Sequence, residues 1–150
     1  MHALAREWLG RPLDIDIPPW TQDPQGYFLG GNNMALSPSA VARIGEMARM
    51  GGTWQGTEVV PADWIETSWQ PRALSPWSGD EYGYGWFLTE LAGERTVYGR
   101  GFGGQMLYVL PDLRLTVVIT SDPLRPARTG GHVGDLNRIV AEAIVPQLSA

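Results

Sequence analysis

The stretch "GRGFGG", residues 99–104, sets Gly99, Gly101, Gly103 and Gly104 around Arg100 and Phe102, at the mouth of the most apolar strand pair in the chain. Glycine has no side chain to cover its own backbone, so such a run at a strand end can present fixed N–H groups to a cleft. Fixed N–H groups are what stabilisation of an oxyanion requires. The same composition also builds a β-bulge or a sheet corner, where glycine only relieves crowding. Spacing alone leaves both readings open, and Arg100 taken by itself reads as a surface ion pair.

Other chemistries find less support. Ser–His–acid catalysis has only His2 and His132 to draw on, and no G-x-S-x-G occurs. His132 stands among glycines where a helix begins, which is the setting of a solvated cap residue. Asp14 and Asp16, in "DID", lack the glycine and glutamate spacing of a calcium loop and read as a solvated loop face. No phosphate loop is present, and no cofactor or metal is expected. The absence of cysteine removes disulfides, thiolate metal sites and cysteine nucleophiles. All 11 basic residues are arginines, so the chain offers no lysine as base or Schiff-base former.

These candidates sit in a chain of 150 residues, the size of one domain (residues 1–150) with a substantial core and no second domain. Its hydrophobic fraction of 43% argues against disorder. A net charge of −5 and a pI near 4.9 weigh against nucleic acid as a partner. No apolar run approaches the roughly 20 residues of a membrane helix, and no membrane partner is expected. The start, "MHALAREWLG", is not a signal peptide, so the chain as written is expected to be cytoplasmic. Leu4, Trp8 and Leu9 there suggest an amphipathic helix.

The elements that must carry the glycines follow from pattern. From Pro12 to Asn33 the crowding of Pro, Gly, Asp and Asn predicts a long irregular segment. "LSPSAVARIGEMARMGG" predicts a helix capped by Ser37, entered through Pro38 and stopped at Gly51. A second helix begins at Pro61, anchored by Trp64, Ile65 and Trp69, and "GTWQGTEVV" between them reads as a turn carrying Trp54. From Tyr82, "YGYGWFLTE" has the alternation of one strand, and Arg95 to Gly99 forms another. "GQMLYVL" and "LTVVITS" are nearly continuous apolar runs joined by "PDLR", an antiparallel hairpin covered on both faces. "GGHVGDLNRIVAEAIVPQL" closes the chain as a helix with Val133, Leu136, Ile139, Val140, Ala143 and Ile144 on one stripe. The expected class is α+β: an antiparallel sheet of about three strands, with helices before it and a C-terminal helix packed on it.

Three pieces together, "DPQGYFLGGNNMALSPSAVARIGEMARMGGTWQGTEVVPADWIE", "YGYGWF" and "GRGFGGQMLYVLPDLRLTVVITS", resemble the second half of serine hydrolases of the β-lactamase and penicillin-binding-protein superfamily. The branch they resemble holds class C β-lactamases, carboxylesterases and 6-aminohexanoate-dimer hydrolases, and the likeness runs from about Leu4 to Leu148. The resemblance implies a β-lactamase-like fold and hydrolysis of a small ester, amide or lactam through an acyl-enzyme. In that family a serine lies in S-x-x-K, a tyrosine follows, and a third motif sits on a sheet-edge strand. Gly99, Arg100 and Gly101 align with the third motif, Gly99 standing where relatives carry a cationic or small residue. The resemblance makes Gly99 and Arg100 substrate-binding, Gly101 part of the catalytic wall, and the Phe102 N–H one oxyanion donor. The other donor would be the nucleophilic serine.

With no lysine, S-x-x-K cannot be written in these residues, and Tyr27 lies in a loop that relatives carry well after their catalytic tyrosine. The implied reading is the carboxyl-terminal portion of such an enzyme, either separately encoded or a degenerate remnant, and inactive alone. In the family the strand here spanning Leu115–Ser121 pairs with an amino-terminal strand. The expectation is therefore an open edge that takes a complementary amino-terminal segment or self-associates, and a Pro12–Asn33 segment without its packing surface. The alternative is a non-catalytic α+β binding module using Trp54, Trp64, Trp69 and Trp77.

Overall fold

The structure, a computed structural model, describes residues 1–31, 33–123 and 131–148. Asn32, inside the expected irregular segment, and Gly130, the first residue of the expected last element, lie outside the described residues.

The chain opens with a helical run: α1 (His2–Ala5), a π-turn (Arg6–Gly10) and α2 (Arg11–Leu13). Next comes α3 (Pro38–Arg49), whose ends behave as the sequence requires. Ser37 Oγ accepts from the Ala40 N–H at 3.1 Å, which satisfies one of the orphan donors of the first turn. At the far end the Gly52 N–H reaches Met47 O and the Gly51 N–H reaches Ala48 O, with Gly51 at φ +65°. This is a Schellman stop.

Where a plain turn was expected around Trp54, a miniature hairpin forms from β1 (Thr53–Trp54) and β2 (Thr57–Glu58). Gln55 and Gly56, both at positive φ, supply its two-residue loop. Helix α4 (Ala62–Ser68) follows.

The sheet has six strands rather than about three. Its order is sequential and antiparallel: β3 (Ala73–Leu74), β4 (Glu81–Tyr82), β5 (Phe87–Leu91), β6 (Glu94–Gly101), β7 (Gln105–Leu110) and β8 (Leu115–Ile119). Two of the additional strands are only two residues long, too short to leave a period in the sequence. "YGYGWFLTE" is not one strand either: the Gly83 N–H bonds Trp86 O at 2.8 Å, Gly85 takes φ +87°, and Tyr82 turns back to pair with Phe87.

The two faces of the sheet carry separate cores. Tyr98, Met106, Tyr108 and Leu110 pack against Leu136, Val140 and Val145 of the closing helix, α5 (His132–Ile139) with its π and 3₁₀ continuation to Gln147. Val97, Val109 and Leu88 face the other way onto Ala48, Ile65 and Trp69. Alternation along β6 and β7 makes this division. Helix α3 comes close enough that a Cβ at Gly45 would stand 2.5 Å from Leu107 Cδ1.

The segment after Pro12 keeps a packing surface within this chain, contrary to expectation. Leu13 and Ile17 are fully buried, and Trp20 lies against Phe28 and His2. Arg43 of α3 donates to Leu13 O at 3.0 Å and pairs with Asp14 at 3.1 Å, and His2 Nε2 bonds Ile17 O at 2.7 Å. Among the described residues no helix is long and apolar enough to cross a membrane.

Candidate functional site

Strand β6 outruns its neighbour on one side. It pairs with β5 only from Glu94 to Tyr98, but with β7 from Val97 to Gly101. Among the described residues Gly99–Gly101 therefore has a strand on one flank only. Its other flank is a stretch of backbone edge of the kind an extended ligand can join.

The four glycines divide into two jobs. Gly103 and Gly104 stand at φ +74° and +87°, and the Gly104 N–H reaches back to Gly101 O at 3.4 Å. These two make the bend into β7, in a region L-residues rarely enter. Gly99 is different: its φ is not positive, and a Cβ placed there would meet nothing within 4 Å. The fold does not require glycine at that position. Gly101 is intermediate, its would-be Cβ lying 3.1 Å from Gln105 Cβ.

Gly99 and Gly101 share the α3 face of the sheet. There they border an apolar cleft of about 220 Å³ closed by Leu36, Pro38, Val41 and Leu107. Arg100 lies on the opposite face, its guanidinium 5.3 Å from the Phe87 ring centroid. Phe87 continues a ladder of rings, Tyr82–Phe87–Tyr98–Tyr108, with centroids 4.9 to 5.8 Å apart. Phe102 is the first residue of the turn and is 69% exposed. The structure thus brings Gly99, Gly101 and Phe102 to one rim and turns the Arg100 side chain over the aromatic ladder.

Tyr98, next to Gly99, anchors the rim. Its ring is buried and its hydroxyl donates to Asp80 Oδ2 at 2.5 Å. Burial first, and the Asp80 carboxylate second, push its pKa well above the ordinary tyrosine value. Tyr108, whose hydroxyl donates to Asn137 Oδ1 at 2.8 Å, is raised by burial alone.

His132 is not a solvated cap. Its Nε2 lies 3.1 Å from Ser121 Oγ, and both atoms stand within 3 Å of where a Gly104 Cβ would be. Ser121 shares no local motif with His132, so nothing in the sequence pairs the two. Among the described residues no group of three or more His, Asp or Glu side chains could hold a metal ion. The Trp residues scatter: Trp69 is buried, Trp54 half-buried, while Trp64 and Trp77 are exposed.

No protein-family model matches the chain, and no curated protein does. Solved structures do. A Bacillus anthracis protein assigned as a 6-aminohexanoate-dimer hydrolase superposes with a TM-score of 0.56 at 17% identity, over 81% of this chain and 33% of that one. The octameric penicillin-binding protein homologue of Pyrococcus abyssi gives 0.60 at 17% identity, over 90% and 37%. A penicillin-binding protein homologue of Caulobacter crescentus gives 0.55 at 15% identity, over 91% and 52%. The chain spans between a third and about half the length of these structures. At such identities the likeness speaks for the fold. Its α+β fold is β-lactamase-like, matched over part of each longer chain.

Proposed function

We propose that the chain supplies the substrate-facing wall of a serine hydrolase that cleaves esters, amides or β-lactams through an acyl-enzyme. The observation that carries this reading is Gly99. A glycine the fold does not need, on a strand that past Tyr98 is paired on one flank only among the described residues, leaves backbone clear for a substrate to approach.

In this scheme a serine from polypeptide outside these 150 residues adds its Oγ to the substrate carbonyl, and a base takes the hydroxyl proton. Negative charge gathers on the carbonyl oxygen, which the Phe102 N–H and the serine's own N–H hold. Collapse expels the leaving group, protonated by the base, and water later frees the acyl group. Gly101 keeps the rim thin enough for the oxyanion to reach the wall. Gly99 and Arg100 lie along the substrate. One oxyanion donor of this kind is worth about 2.7–4 kcal/mol, so the serine-bearing segment would depend on the wall. That segment would also pair along the β8 edge and its continuation, Leu115–Ser121.

The experiment is active-site labelling. A segment carrying S-x-x-K and a catalytic tyrosine is mixed with this chain and treated with a serine-directed phosphonate. Labelling of the segment's serine that requires this chain supports the reading; labelling indifferent to this chain defeats it.

A non-catalytic binding module is the second reading. Its support is an exposed stack in which Trp64, 50% exposed, lies 5.4 Å from Tyr84, with Arg72 5.3 Å beyond. Ligand binding lost in Trp64→Ala but kept in Gly99→Val would favour it.

A further inference from the structure

The turn after Gly101 is packed directly on residues of two other elements. The bond across it, Gly104 N–H to Gly101 O, is long at 3.4 Å. Beneath it lies a shelf built by two other elements. A Cβ at Gly103 would meet Pro123 Cα at 2.7 Å, and one at Gly104 would meet His132 Nε2 at 2.5 Å and Ser121 Oγ at 2.9 Å. The turn therefore rests its bare α-carbons directly on Pro123, Ser121 and His132.

The shelf is itself tied. His132 Nε2 and Ser121 Oγ share a hydrogen bond at 3.1 Å, and Gln105 Nε2 donates to Ser121 O at 2.6 Å. The start of β7, the exit of β8 and the start of α5 thus meet at Ser121. His132 contributes from a fixed base, because Leu136 and Val140 of the same helix are buried against the sheet. Its ring is not spent on capping: α5 has Gly131 at its N-cap and no side-chain cap bond.

We propose that Ser121 and His132 are a positioning pair that sets the height and pitch of the 101–104 turn, and with it the aim of the turn's backbone N–H groups. The purpose assigned to those groups rests on the proposed function; the mechanical coupling does not.

The test uses the full chain, ¹⁵N-labelled and without substrate. Backbone order parameters are measured for Gly103 and Gly104, with Tyr108 and Val109 of β7 as internal references. In wild type, and in Ser121→Thr, which keeps the hydroxyl, all four amides are expected near the rigid value of about 0.85. In Ser121→Ala and His132→Ala the two glycines should fall below about 0.6 while Tyr108 and Val109 stay rigid. Glycines equally rigid in Ser121→Ala, or equally loosened in Ser121→Ala and Ser121→Thr, overturn the proposal. Should His132→Ala loosen β7 as a whole, the two Ser121 variants decide. Because no acyl-enzyme enters the measurement, failed phosphonate labelling would leave this result standing, and the reverse.

Discussion

The Tyr98 hydroxyl donates to Asp80 Oδ2 across 2.5 Å, joining the strand that ends in Gly99–Gly101 to the loop ahead of β4. That loop is closed on itself by the Ser75 N–H to Asp80 O and by the Gly79 N–H to Ser75 O. A buried hydroxyl bonded to a carboxylate contributes about 1.5–3 kcal/mol. Tyr98→Phe should therefore lower unfolding free energy in urea by about that amount at pH 7. A loss below about 0.5 kcal/mol would show the bond to be idle.

The same two tyrosines set an alkaline limit. Tyr98 and Tyr108 have pKa values raised by burial, with Asp80 adding to the first. A raised folded-state pKa means the unfolded chain releases its protons first, at about pH 10. Stability is full below that pH and falls as pH climbs toward the folded values. Each Tyr→Phe substitution should remove one proton's worth of that slope, read from melting temperature between pH 9 and 11.5. An unchanged slope in Tyr108→Phe would contradict the assignment.

Glycines that look alike in sequence should separate in mutagenesis. A Cβ at Gly83 would stand 2.2 Å from Ser68 O, a backbone atom, so Gly83→Ala must displace α4 or β4. A loss of about 3 kcal/mol is expected. Gly99→Ala should stay within about 1 kcal/mol of wild type, because nothing occupies the space. Equal losses at the two sites, measured by chemical denaturation, would refute the division of labour among the glycines.

The β8 edge makes a prediction about mass. Leu115–Ile119 ends the sheet with no charged residue, and all five positions are half-buried. Such an edge recruits another strand. Sedimentation of the 16.5 kDa chain should show mass rising with concentration. A monodisperse monomer that melts cooperatively would argue against a recruiting edge.

What the sequence disclosed was mostly what is local. Ser37, Pro38 and Gly51 mark α3 because caps act within one helical turn. The apolar runs around Tyr108 and Val117 mark β7 and β8 because both faces are covered. The "GRGFGG" stretch stands out by composition, but only the folded chain separates Gly99, with space around it, from Gly104, pressed on His132. The short strands β3 and β4 left no period to detect. Ser121 and His132 stand 11 residues apart and meet only because α5 packs back onto the sheet. The Leu13 carbonyl is likewise held by Arg43, 30 residues away.

In the proposed function the rim at Gly99 belongs to a hydrolase whose nucleophile is carried elsewhere. The most direct test is the pre-steady-state release of nitrophenol from a p-nitrophenyl ester. It compares this chain alone, this chain with a serine-bearing segment of a matched hydrolase, and the same pair carrying Gly99→Val. A burst only in the wild-type pair, lost in Gly99→Val with melting unchanged, is the predicted result. A burst from the chain alone, or one untouched by Gly99→Val, would contradict it.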